Sequence, residues 1–391
     1  MRKSLRVKTS NLKLRRAATR RRLPSAVCRP PSAPAVCSCL LLLLSAFCLL
    51  PSANAAWSKQ RTGSFAWLHS VFFVGGGRGW AVGGKGALLE TRDGGEHWEA
   101  RRRPVEDALK DVFFTDERTG WVVCERSIYM PMRKDESVSY LLKTTDGGEA
   151  WTRVEVTRGE DVDLKLARVT FADAEHGWVL GEMGALFATA DGGATWARQR
   201  VPDRHLLLGA SFLDARTGWI VGAGATLLYT SDGGATWRAG LVNGSLSQFA
   251  QRAASRARTQ DGASSYSTPP ASKPTVESQA SLRVNAVSFA DARRGWAVGA
   301  GGLVLATIDG GRTWRTEESG TESELFDVKF FDEREGWAVG GEGVAIHTAD
   351  GGATWRAEAT GTPHTLERLF FSERTRGWAV GFGGTVIAFK G

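Results

Sequence analysis

The residues best suited to chemistry are six aspartates in a repeated Thr-x-Asp-Gly-Gly-x-x-Trp element, which begins at Thr91, Thr144, Thr189, Thr230, Thr307 and Thr348. A carboxylate in a glycine-rich loop could ligate Ca²⁺, but an ion loop needs several further carboxylates at alternate positions, and these turns do not supply them. The glycines instead provide the positive φ of a tight hairpin, and the Asp can accept from backbone N–H groups across it. The six histidines (His69, His97, His176, His205, His347 and His364) show no metal-ligand spacing and no companion cysteine, so no metal site is expected. Gly83-Gly84-Lys85-Gly86 and Gly340-Gly341-Glu342-Gly343 run from strand into strand. A phosphate cradle needs a helix N-terminus after it, so these are hairpins and no cofactor is expected. Acidic residues are plentiful, yet nothing singles out an acid–base carboxylate pair. No catalytic residue is assigned.

The elements that must position these turns are themselves repeated. Gly-Trp recurs with its Trp at 80, 121, 178, 219, 296, 337 and 378, at intervals of 41, 57, 41, 77, 41 and 41 residues. The unit is therefore 41 residues long, with insertions of 16 and 36. A Phe stands seven residues before each Trp, from Phe73 to Phe371, and a Leu or Val stands twelve before. The Asp-Gly-Gly element supplies six more Trp, and Trp57 completes that set, so fourteen of the 15 Trp are two positions repeated seven times. Each unit holds four short β-prone runs. Four strands per unit and seven units predict an all-β protein, a single seven-bladed propeller over 56–391. The last unit ends after its third strand, and the segment around Trp57 is expected to supply the fourth and close the ring. The Trp that follows each Asp-Gly-Gly is expected to pack beside the next blade. Trp67 belongs to neither set.

Both insertions fall on the face opposite the Asp-Gly-Gly turns, and loops on a rigid scaffold carry function. That face is therefore the expected partner-binding surface. The second-blade loop offers Tyr129, Met130 and Met132 beside Arg133 and Lys134, either as a contact surface or as packing over the propeller. Arg101, Arg102 and Arg103 leave the first blade towards the same face, to receive an acidic partner or to guard an outer edge. At the channel mouth, Lys110, Asp111, Arg168, Asp327 and Arg368 are candidates too. Asp111 is expected to face Arg168, and Asp327 to face Arg368, from neighbouring blades. The linker 241–280 is rich in Ser, Ala, Gln, Thr and Pro and is expected to be disordered.

Net charge is +8, but residues 1–55 hold 3 Lys and 8 Arg and no acid, leaving −3 for the remainder. The charge thus offers no argument for nucleic acid. Residues 1–55 read as a basic presequence: an 11-residue apolar core, Leu40 to Leu50, precedes Ala53-Asn54-Ala55, which suits cleavage and export. That core is about half of what a bilayer-spanning helix needs, so no transmembrane segment is expected after cleavage. Four of the five Cys lie in the leader, and Cys124 alone remains.

The Phe strand, the Gly-Trp turn, the Gly-x-Gly hairpin and the Thr-x-Asp-Gly-Gly-x-x-Trp box together resemble the photosystem II stability/assembly-factor family over about residues 57–390. The resemblance implies an exported, non-enzymatic scaffold. It implies binding of a membrane-protein complex or assembly intermediate on the periplasmic or thylakoid-lumen side, peripheral to the membrane, and a monomer is expected. Asp-boxes also occur in sialidases and other glycoside hydrolases, so a glycosidase or carbohydrate-binding propeller is the alternative. A sialidase would need an arginine triad and a tyrosine nucleophile, and only Tyr129, Tyr140, Tyr229 and Tyr266 are present.

Overall fold

The computed structural model describes residues 56–127, 136–260 and 282–391. Seven antiparallel sheets form a seven-bladed propeller in which each blade adds its strands in chain order from the axis outward. In the first blade these are Leu68–Val74, Arg78–Gly83, Leu88–Thr91 and Glu99–Ala100. The seventh blade takes its outermost strand from the chain's other end: Ala56–Lys59 pairs antiparallel with Val386–Lys390, placing Trp57 opposite Phe389. Trp57 is buried and meets Trp337 and Phe371 edge-on at 5.6 and 6.0 Å. Thr62 Oγ1 adds a hydrogen bond to the Gly384 carbonyl at 3.0 Å, so the two ends clasp the ring as expected.

The repeated residues have a common geometric cause. In every blade the Phe ring lies flat on the Gly of Gly-Trp, and a Cβ at that Gly would sit 2.2–2.6 Å from the ring, as at Gly218 and Gly336. Only glycine tolerates that approach. The other side of the Phe ring receives the Gly-Trp indole of the preceding blade. Five of these pairs stack at 3.5–3.6 Å between centroids. Trp121–Phe171 and Trp337–Phe371 are more open, at 5.5 and 5.8 Å. Lys143 lies over the Trp121 ring at 4.6 Å, and His347 stacks on Trp337 at 4.4 Å. The box Trp meets the same Phe edge-on, as Trp98 does Phe73 at 5.7 Å. It therefore completes a cluster with the preceding blade, not the next one, because the shared Phe turns its free side that way.

In the box turns the Thr hydroxyl and the Asp carboxylate bond within the turn, as the fourth box shows. Thr230 Oγ1 donates to Asp232 Oδ1 at 2.8 Å and accepts from Gly234 N at 2.9 Å. The amide of Thr236 donates to Asp232 Oδ1 and its hydroxyl to Oδ2, at 2.9 and 2.6 Å. These bonds hold the Asp232 carboxyl down at about 2, and the matching bonds from Thr195 do the same for Asp191. The carbonyl of the first box Gly accepts from the preceding blade's indole where Trp219, Trp296 and Trp378 bond Gly310, Gly351 and Gly94.

Expected disorder from residue 241 does not hold over its first half. Leu241–Asn243 adds a fifth, parallel strand to the edge of the fifth blade, and α1 (Ser247–Gln260) follows. Phe249, Ala250 and Leu246 pack into the fifth-blade core. A few apolar side chains borrow a core already present, which composition averaged over 40 residues conceals. The rest of that linker, the presequence 1–55 and the second-blade residues 128–135 lie outside the described residues.

Candidate functional site

A β-bulge recurs in the innermost strand of all seven blades, between Leu109 and Asp111 in the second and between Leu366 and Arg368 in the seventh. The extra residue re-aims the next side chain into the channel. Four charged side chains at this level, Asp111, Arg168, Asp327 and Arg368, form one network. Arg368 Nη2 donates to Asp111 Oδ1 at 3.2 Å, and Arg168 Nη2 lies 3.6 Å from Asp327 Oδ1. These contacts cross the channel between non-adjacent blades, whereas the sequence suggested neighbours. Of the expected pairs, Asp327–Arg368 is retained at 3.9 Å. Asp111 instead accepts from Ser70 Oγ and the Val169 amide, at 2.7 and 3.0 Å, on the two flanking blades. A narrow channel brings opposite sides within reach, which strand order alone does not reveal.

Burial pushes the Asp111 and Asp327 carboxyls up, Asp327 to about 6, against the opposing pull of Arg168. With their oxygens held by guanidinium and amide groups, the two carboxylates act as a plug that divides the channel.

The arginines leaving the first blade are also engaged. Arg101 turns sideways to Glu149 of the second-blade box and to Glu90, at 2.6 and 3.3 Å. Arg103 meets Glu106 at 3.2 Å, Arg102 is exposed, and Lys110 lies 3.9 Å from Glu125. Tyr129, Met130, Met132, Arg133 and Lys134 lie outside the described residues. Cys124 is buried, and its thiol is pushed up by that burial.

What sequence reasoning did not assign is an aromatic patch where the ring closes, on the face opposite the boxes. Phe65 is 93 % exposed, Trp67 44 % and Phe382 49 %. Trp67 packs edge-on against Phe382 at 5.3 Å and lies 5.7 Å from His69. His69 Nδ1 in turn meets Glu367 across the blade boundary at 2.8 Å. Phe65 and Trp67 share a hollow with Lys85, which holds a left-handed φ of 54° in its turn, and with Arg103. Three exposed rings beside two cations on a rigid rim suit a polypeptide that carries apolar and acidic side chains. Trp67 was the signal available in the sequence, as the one Trp outside both repeats.

A family model described as Photosynthesis system II assembly factor YCF48 matches residues 51–137, 102–206, 272–356 and 316–390, well over half of the chain. Photosystem II assembly protein Ycf48 of Synechococcus sp. (strain JA-2-3B'a(2-13)) is 26% identical over 171 residues, 41% of this chain and 47% of that protein. Photosystem II stability/assembly factor HCF136, chloroplastic, of Arabidopsis thaliana is 26% identical over 125 residues, 30% of this chain and 27% of that protein. The matched stretches thus span less than half the length of these curated relatives. A solved structure described as YCF48 bound to D1 peptide aligns with a TM-score of 0.63 at 20% identity, covering 86% of this chain and 97% of that one.

Proposed function

The chain belongs to the Photosynthesis system II assembly factor YCF48 family, and we propose that it is a non-enzymatic scaffold for assembling a photosystem II membrane protein. It holds the intermediate against the face opposite the Asp-box turns. The observation that carries the choice of face is the patch of Phe65, Trp67 and Phe382, whose rings are exposed although they stand on a tightly closed part of the ring. A D1 peptide on the related YCF48 structure supports a polypeptide as the bound species. Among the described residues no helix is long and apolar enough to cross a membrane, in keeping with a peripheral protein. Export to the periplasm or thylakoid lumen rests on the leader read in the sequence, and the bound species is a membrane complex, not nucleic acid.

The test is affinity recovery from native membranes. Wild type should retain a photosystem II membrane subunit, and the triple variant Phe65→Ala, Trp67→Ala, Phe382→Ala should lose it by about tenfold or more with an unchanged melting temperature. Equal recovery by the triple variant would remove this face from the mechanism. Hydrolysis of aryl glycosides by the wild type would restore the glycosidase alternative.

A further inference from the structure

On the box side of the ion plug, the channel opens into a cavity of about 360 Å³. Two positions beyond the plug each innermost strand presents one residue to its wall, and these differ sharply around the ring, with Thr170 on the third blade. On the seventh, first and second blades they are Phe370, Phe72 and Phe113, with Phe72 at 5.0 Å from Phe370 and 4.7 Å from Phe113. On the fourth, fifth and sixth blades they are Ser211, Ser288 and Lys329. Ser211 Oγ accepts from the Phe289 amide at 3.2 Å, and Ser288 Oγ accepts from the Phe330 amide at 3.0 Å. Each hydroxyl thus spends an acceptor lone pair on the backbone and keeps its proton to donate into the cavity. Among the described residues no carboxylate lies within ion-pair distance of Lys329. Asp327, on the same side of its strand, is held by Arg168 and by the Leu369 amide at 3.0 Å.

We propose that this cavity binds a small free carboxylic acid with an apolar or aromatic body. The body lies on Phe370, Phe72 and Phe113, and the carboxylate accepts from the Lys329 ammonium and the two serine hydroxyls. An ammonium with two aligned hydroxyl donors fits a carboxylate, because charge-assisted bonds are the strong ones in a partly enclosed site. The apolar arc opposite excludes a bare inorganic anion as the preferred ligand. The ion plug closes the inner end, so the cavity admits a compact acid and not a continuing chain. Lys329 is solvent-exposed on its strand, so its ammonium is accessible to an anion that enters the cavity. The site lies on the box side of the plug and does not depend on the scaffold reading of the other face.

Calorimetric titration of the full chain tests it, with 3-phenylpropionate and octanoate as probes. Both should bind at a single site, and 3-phenylpropionamide and acetate should each bind about tenfold more weakly or not at all. Lys329→Met should abolish acid binding at an unchanged melting temperature, and Lys329→Arg should restore it in part. No saturable heat with either acid, equal binding of the amide, or full binding by Lys329→Met would each overturn the proposal. So would binding only of a peptide ending in a free Phe carboxylate, because that would make the occupant a chain terminus.

Discussion

The guanidinium of Arg368, on the seventh blade, lies 3.2 Å from the carboxylate of Asp111 on the second, reaching past the first blade between them. With Arg168 and Asp327 it makes a plug of two positive and two negative groups, all largely removed from water. Such groups tolerate burial only as a set, because removing one leaves its partner charged and unpaired. The plug divides the channel into a cavity on the box side and a mouth on the other.

Asp327 should make stability depend on pH in an unusual sense. Its pKa rises from 3.8 when unfolded to about 6 in the fold. Between those values the native state holds more protons than the unfolded chain, so stability falls as pH rises from about 4 to about 6. Asp111, raised by the same burial, adds to this slope. Thermal melts across that window should show wild type losing ground to Asp327→Asn as pH rises; a constant difference would disprove it.

The box carboxylates act with the opposite sign. Asp191 and Asp232 fall from 3.8 to about 2 because Thr195 and Thr236 bond their charged forms. Their contribution is complete above about pH 4 and is lost as pH falls towards about 2. Asp232→Ala should lower the melting temperature at pH 7 and narrow the gap to wild type on acidification through that range.

Ring closure should depend on one indole. Trp57→Ala removes a buried ring that touches Trp337, Phe371 and Phe389 and should cost about 3–5 kcal/mol. Deleting residues 56–60 should destabilise more, since it also bares the edge of Val386–Lys390. Denaturant melts would show this as a lower midpoint, and an unchanged midpoint would mean that the clasp is dispensable.

Gly336 should be intolerant of any side chain. A Cβ there would meet the Phe330 ring at 2.6 Å, and the ring is held from behind by Trp296 at 3.6 Å. Gly336→Ala should therefore cost about 1–3 kcal/mol through overpacking. Gly77→Ala, with nothing within 4 Å of its Cβ, should stay within about 0.5 kcal/mol. Equal effects of the two changes on the melting temperature would sink the steric account.

The blade count, the strand order and the closing segment were legible in the sequence because each rests on residues that repeat. Phe seven before Trp and Gly beside it are one contact written seven times, and spacing alone reveals it. The candidate site was less legible. Asp111, Arg168, Asp327 and Arg368 were recognisable as channel residues, but their partners were not, since contacts across a ring join residues such as 111 and 368 that no local pattern relates. In sequence Arg101 reads as part of an open basic patch, but Glu149 of the next blade lies beside it. Phe65 and Phe382, far apart in the chain, became one surface with Trp67 only when the ends met. The sequence by itself determined the ring, because periodic packing is local and repeats its own signal. Only the tertiary structure decided what the ring encloses and exposes, because those groups meet through space, across the axis and across the closure, where sequence distance carries no information.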